Sequence, residues 1–265
     1  LAYFAQLSVL HQDMHNEAFC YMWQTLGYPM PLPAARSGEE GVAGGAGDLE
    51  IPARKLVLGA APATGFVFDN EKWGHEIEVP AFAIARHAVT NAQFRAFVED
   101  GGYGRREFWS DAGRLMLGEL ALAAPRYWRR DGDGWRVRRF DREIALDPLE
   151  PVMHVSAHEA EAWCRWAGRR LPTEAEWECA AATSPNSSAK RRYPWGDTCE
   201  RSIQEFARLD ARFAGPAAAD GIPNGESAWG ARQMLGNVWE WTSSRFTPYP
   251  GFSADPYREY SAPWF

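Results

Sequence analysis

Residues 11–17 read His11-Gln12-Asp13-Met14-His15-Asn16-Glu17. Histidines at i and i+4 on a helix stand one turn apart on the same face, near enough for both imidazoles to meet one metal ion. Neutral imidazole is the commonest side-chain ligand for transition metals, and a histidine in an apolar interior otherwise needs a partner for each ring nitrogen. Asp13 and Glu17 are close enough in sequence to serve as acceptors that orient the rings. The plainer alternative is two half-buried histidines hydrogen-bonded to neighbouring helices. His154 and His158 share the spacing without the geometry: Ser156 caps a helix between them, so His154 precedes it in extended chain.

Other reactive side chains read as structural. Cys164 and Cys179 fall at apolar positions of helices with no evident base or positive neighbour, which suits packing better than nucleophilic work. No nucleophile elbow, phosphate loop or dinucleotide fingerprint occurs. In Gly236-Asn237-Val238-Trp239-Glu240-Trp241-Thr242, alternation places Trp239 and Trp241 on one side of an extended segment and Glu240 on the other. A tryptophan-rich core strand is the simplest reading there. Tyr249, in Tyr249-Pro250-Gly251-Phe252, could present its hydroxyl to a cleft.

These residues need elements to hold them. Residues 1–28 read as one helix, with Phe4, Ser8, His11, His15, Ala18 and Met22 on one face expected to be interior; Gly27 and Pro29 end it. A lone helix cannot bury its own apolar face, so this unit (1–33) is expected to continue before Leu1. The glycine- and alanine-rich run 34–48 reads as a linker, and 49–265 as a second unit. Within the second unit, strands are predicted at Lys55–Leu58, Glu76–Val79 and Phe82–Ala85. A hairpin is predicted around Asp131-Gly132-Asp133-Gly134. Capping boxes at Thr90/Gln93, Ser156/Glu159 and Thr173/Glu176 each announce a helix.

The 265 residues carry 28 Lys+Arg against 35 Asp+Glu, a net charge of −7, which argues against a general nucleic-acid binder. No apolar run is long enough to span a bilayer. Four cysteines without a CxxC pair suggest a reducing cytoplasm and no structural zinc site. Thirteen tryptophans with 18 prolines and 24 glycines suggest a core of large rings held by loops.

Leu171-Pro172-Thr173-Glu174-Ala175-Glu176-Trp177-Glu178, Tyr193-Pro194-Trp195-Gly196-Asp197 and Gly236–Trp241 together resemble the formylglycine-generating-enzyme superfamily. The resemblance implies an α+β, C-type-lectin-like fold over roughly residues 49–265. The His11/His15 helix, ending Gln24-Thr25-Leu26-Gly27-Tyr28-Pro29, resembles the last helix of a truncated DinB-like bundle in the ergothioneine-type sulfoxide synthases. Phe68-Asp69-Asn70-Glu71-Lys72, Val89-Thr90-Asn91 and Tyr249–Phe252 are similar to the same branch. A relative that makes selenoneine, forming a C–Se bond from a selenosugar, is comparably similar.

The resemblance implies a non-haem Fe(II) enzyme that uses O2 to join a thiol or selenosugar donor to the imidazole of Nα-trimethylhistidine (hercynine). His11 and His15 match two iron ligands, with the third expected upstream of Leu1, and Glu17 and Asp13 would support them. Tyr249 matches the proposed proton donor to oxygen. Met14 stands where some relatives have a glutamine that holds the substrate imidazole; it and Trp239 are the expected substrate contacts. The superfamily also implies a calcium ion held by Glu240, Gln233, Gly236 and Val238. The alternatives are a copper-dependent formylglycine-generating oxidase, which needs a late reactive cysteine pair, and a non-catalytic lectin-like binding module.

Overall fold

The computed structural model describes residues 2–30, 47–62, 65–187, 189–199, 202–209 and 215–265. Among the described residues a long helix, α1 (Ala2–Leu26), leads into seven short strands and four further helices. The expected linker lies outside the described residues except for Gly47 and Asp48, and Asp48 already begins a strand. No helix among the described residues is long and apolar enough to cross a membrane.

The strands form three small antiparallel sheets. β1 (Asp48–Ile51) pairs with β4 (Phe82–Ala85), and β2 (Arg54–Leu58) with β3 (His75–Val79). β5 (Trp128–Asp131), β6 (Gly134–Arg139) and β7 (Arg142–Ala145) form a meander whose first turn carries Gly132 at φ 55°. That positive φ is the conformation the Asp-Gly pair was expected to supply. β1, β7 and helix α3 (Asp111–Leu120) have no counterpart in the sequence reading; α3 is capped by Ser110 without a reciprocal glutamate or glutamine.

All three expected capping boxes form. They open α2 (Asn91–Glu99), α4 (Ala157–Trp166) and α5 (Glu174–Ala182). Two of the capping carboxylates also reach into the body. Glu159 accepts the Tyr103 hydroxyl at 2.5 Å, and Glu176 accepts a forked pair of bonds from Arg170 at 2.7 and 2.6 Å. Each therefore satisfies a helix end and ties that end to a neighbouring loop, so these buried charges are not left unpaired.

Two apolar clusters fill the body. One joins β1–β4 to Cys179, Ala180 and Ala181 of α5. The other stacks Phe94 and Phe97 of α2 against Trp109 and against Trp163 and Cys164 of α4. Phe97 is wholly buried, a burial that stabilises by about 1.5–3 kcal/mol. Cys164 and Cys179 are free buried thiols, and burial pushes Cys164 up to about 11. Both are packing residues.

Helix α1 docks on the meander through Gln24, which is 4% exposed. Its amide nitrogen donates to the Arg138 carbonyl at 3.0 Å, and its amide oxygen accepts from the Phe140 N–H at 2.6 Å. Arg138 in turn donates to the Gln24 carbonyl at 2.7 Å. Gly27 ends the helix at φ 70°, where a Cβ would lie 3.2 Å from the Arg138 guanidinium. The face turned to the body therefore runs Tyr3, Leu7, His11, Ala18 and Gln24, and the expected interior face is corrected: Phe4 (53%) and Met22 (42%) are exposed. Val9, Phe19 and Tyr21 are exposed as well, so apolar residues occur all round α1 and periodicity alone does not select the docked side.

Gln24→Ala leaves the Phe140 N–H and the Arg138 carbonyl without partners, a cost of about 1–3 kcal/mol. Denaturant unfolding of wild type and variant measures it. Unchanged stability, with an unchanged exchange rate of the Phe140 amide, would show that Gln24 does not seat the helix.

Candidate active site

His11 and His15 lie on adjacent turns of α1 with ring centroids 4.6 Å apart and planes 28° from parallel. His11 is half-buried at the seam and His15 is exposed. Neither ring has a hydrogen bond to a described residue, so their nitrogens are open to another partner. Among the described residues no group of three His, Cys, Asp or Glu side chains could hold a metal ion. The pair therefore fits as part of an iron donor set and does not complete one.

The body meets His11 with two tyrosines. Tyr257 and Tyr260 have ring centroids 5.9 and 6.4 Å from the His11 ring, the latter nearly perpendicular to it. Tyr260 donates its hydroxyl to the Met14 sulfur at 3.6 Å and stacks on Phe68 at 4.4 Å. Burial, with Asp69 and Glu71 nearby, pushes its hydroxyl up to about 12, so Tyr260 stays protonated at neutral pH. His11, Met14, Tyr257 and Tyr260 line one cavity of about 320 Å³ with Asn70, Phe246, Glu259, Ser261 and Trp264.

The tyrosine-bearing segment is held by the turn Phe68–Lys72. Asp69, 2% exposed, accepts from the Ser261 hydroxyl and, at 3.2 Å, from the Asp255 N–H. Lys72 pairs with the Asp255 carboxylate at 2.8 Å, both groups being mostly buried. Asp69, Tyr257 and Tyr260 escaped the sequence reading of the site, because Tyr260 meets Met14 across 246 positions and Asp69 meets Ser261 across 192, separations that leave no local spacing. The one available signal was the Phe68–Lys72 run itself.

Other expected site residues lie elsewhere. The Tyr249 hydroxyl donates to Glu174 at 2.6 Å, and its ring packs on His75 and over Gly59, where a Cβ would fall 2.9 Å from it. Tyr249 does not line the His11 cavity. Burial, then Glu174, Glu71 and Glu178, raises its hydroxyl far above the ordinary range. Glu17 accepts from the Trp239 indole N–H instead of orienting an imidazole. Asp13 is exposed and no contact ties it to either ring. Trp239 is 88% exposed and Trp241, at 50%, donates to the Val155 carbonyl, so the expected core strand is corrected to an irregular segment with its tryptophans outward. The alternation survives: Glu240 faces the other way and accepts from the Trp177 indole at 3.2 Å.

Two of the four expected calcium ligands are engaged in hydrogen bonds. The Gly236 carbonyl accepts from the Val238 N–H at 2.9 Å and Glu240 accepts from Trp177. The Gln233 amide oxygen is buried without a partner among the described residues. Each engaged oxygen accepts one hydrogen bond and keeps a lone pair, so the donor chemistry of this turn is that of a hard-cation site.

The Sulfatase-modifying factor enzyme 1-like domain family (FGE-sulfatase) matches residues 36–261. The chain belongs to that family. The α+β body described above is the matched part, and α1 precedes it. The hercynine oxygenase of Mycolicibacterium thermoresistibile is 44% identical over 264 residues, covering 97% of this chain and 57% of that protein. The hercynine oxygenase of Mycobacterium tuberculosis is 46% identical over 198 residues, covering 74% and 45%. The formylglycine-generating enzyme of Streptomyces coelicolor is 35% identical over 242 residues, covering 82% and 73%. Among solved structures, PvdO from Pseudomonas aeruginosa aligns with a TM-score of 0.46 and 21% identity over 74% of this chain and 69% of that one. The chain spans little more than half the length of the first relative, and that likeness includes the histidine-bearing helix.

Two measurements probe the buried carboxylates of the body. Burial raises Glu240 from 4.5 to about 7, against the smaller opposing effect of the Trp177 indole. Its folded form thus holds a proton that the unfolded form has lost, and its contribution to stability falls as pH rises from 4.5 to about 7. Glu240→Gln should flatten that part of the stability–pH curve, and parallel curves for the two proteins would contradict the assignment. Asp69→Ala strands the Asp255 N–H and the Ser261 hydroxyl, and should cost about 1–3 kcal/mol in unfolding free energy. Faster proteolysis confined to the segment after residue 254 should accompany it; uniform sensitivity would refute the local role.

Proposed function

We propose that this chain carries the catalytic seam of an Fe(II)- and O2-dependent enzyme that joins a thiol to the imidazole of trimethylhistidine. The observation that carries the reading is the juxtaposition of two unpartnered imidazoles on α1 with a cavity supplied by the family domain. The likeness to hercynine oxygenases over 97% of the chain supports it, because it takes in that helix as well as the domain. The exposed apolar residues of α1 suit a helix drawn from a bundle, which here would be DinB-like.

The reaction balances as imidazole C–H plus R–SH plus O2 giving the C–S sulfoxide and water. Forming the C–S bond removes two electrons from the substrates and oxidising the sulfur removes two more, together the four that reduce O2. Bound iron would supply attachment and activation for thiolate and oxygen, with His11 and His15 among its ligands. Tyr260, protonated at neutral pH and adjoining His11, is placed to hold a proton at the cavity wall. Tyr257 forms the neighbouring wall. Met14 faces the same cavity, and its thioether cannot replace the hydrogen bond of an amide.

A formylglycine-generating oxidase shares the domain, yet two of the four cysteines are buried with their thiols held protonated. That enzyme type also leaves the paired imidazoles without a use.

Full-length protein is reconstituted anaerobically with ferrous iron, then given trimethylhistidine, O2 and cysteine, γ-glutamylcysteine or a selenosugar in parallel. A product heavier than trimethylhistidine by the thiol donor plus one oxygen, less two hydrogens, is expected. His11→Ala and His15→Ala should each lose most bound iron and at least about a hundredfold in rate, in keeping with loss of metal-site integrity. Retention of stoichiometric iron by both variants would end the reading.

A further inference from the structure

Met14 precedes His15 in sequence, and the imidazole pair gives its sulfur no task. The side chain is 43% exposed, so small solutes in water reach it. The Tyr260 hydroxyl donates to the sulfur at 3.6 Å. A thioether is a weak acceptor with two lone pairs, so one such bond leaves the second pair free to react. Met22 is a control built into the same helix, about two turns further along. It is 42% exposed, and no hydroxyl meets its sulfur among the described residues. The two methionines therefore share accessibility and helix and differ in the donor.

Tyr260 is a fixed donor. Its ring stacks on Phe68 with planes 7° apart, and burial keeps its hydroxyl protonated at neutral pH. A fixed O–H beside an exposed thioether bears on one reaction, oxygen transfer from a peroxide. The sulfur attacks one peroxide oxygen and gives up two electrons as the O–O bond breaks. The departing hydroxide takes the proton left on the transferred oxygen, so thioether and hydrogen peroxide become sulfoxide and water. Negative charge builds on both oxygens during that step, and a donor already seated at the sulfur stabilises it. We propose that Met14 is a site of reversible oxidation by peroxides, and that the Tyr260 hydroxyl directs the oxidant to it in preference to Met22. The sulfoxide is polar, and its oxygen accepts the Tyr260 hydroxyl more strongly than the thioether does; methionine sulfoxide reductases restore the thioether. Oxidation would then withdraw the Tyr260 proton from the chemistry of the cavity, a consequence that rests on the function proposed above, whereas the modification itself does not.

Peptide mapping by mass spectrometry tests the site. Full-length protein is treated with hydrogen peroxide and sampled over time, with a metal chelator present to exclude radical chemistry from free iron. Met14 should gain one oxygen at least about threefold faster than Met22, the scale of one added hydrogen bond in the transition state. In denaturant the two rates should converge, a comparison that needs no variant. Tyr260→Phe keeps the ring and removes the donor, and should bring Met14 to the rate of Met22 while leaving Met22 unchanged. Thermal midpoints identify a variant that fails to fold, and the denaturant comparison then decides. Met14 reacting no faster than Met22 in the folded protein, or staying faster in denaturant or in folded Tyr260→Phe, would overturn the proposal. After reloading with ferrous iron, turnover should fall as Met14 sulfoxide accumulates and return on treatment with reductases for both sulfoxide epimers. Full turnover by protein wholly oxidised at Met14 refutes the redox control. Absence of turnover before any peroxide refutes the oxygenase reading alone, and the mapping still decides the modification site.

Discussion

The seat of α1 depends on one amide. Gln24 spends both ends of its side chain on backbone groups of the meander, while Arg138 holds its carbonyl. Each residue of a helix turns the face by about 100°, so an amide engaged on both sides sets rotation as well as position. With Gln24 in place, Tyr3, Leu7 and His11 face the body and His15 stands at the rim. The cavity wall can meet His11 only in that rotation. An apolar residue at position 24 could stick, but it could not choose among the several apolar sides of this helix.

A second constraint works from the opposite direction. The segment presenting Tyr257 and Tyr260 has almost no regular structure, so its backbone groups must find partners outside a ladder. The Phe68–Lys72 turn supplies them in one place: a carboxylate for an N–H and a hydroxyl, a cation for a carboxylate, and a ring for a ring. Glu159 and Glu176 follow the same logic, each closing a capping box while anchoring a neighbouring group. In a body of short strands and loops, such paired buried charges do the orienting that long sheets do elsewhere.

Local chemistry made much of the frame readable in advance. Thr90, Ser156 and Thr173 place their helices because a capping box is complete within four residues. Phe82–Ala85 and the Gly132 turn carry their own signals in the same way. The histidine pair was legible because helical spacing alone decides whether the rings meet. What stayed hidden was set by distant partners. Tyr249 and Tyr260 are both aromatic residues in loops, and only the carboxylate opposite one and the methionine opposite the other tell them apart. The docked side of α1 was misjudged for a related reason: a polar residue, Gln24, is buried while Phe4 is not.

The assembly of the cavity from two segments far apart in sequence has a consequence for biosynthesis. Tyr260 leaves the ribosome 246 residues after Met14. At elongation rates of about 5–20 residues per second, α1 waits at least ten seconds or so for its wall. Throughout that interval its apolar sides have no docking surface from the late segment, although the meander that receives Gln24 is made halfway through. The groups that seat Gln24, the Arg138 carbonyl and the Phe140 N–H, are therefore made long before the tyrosines that complete the pocket.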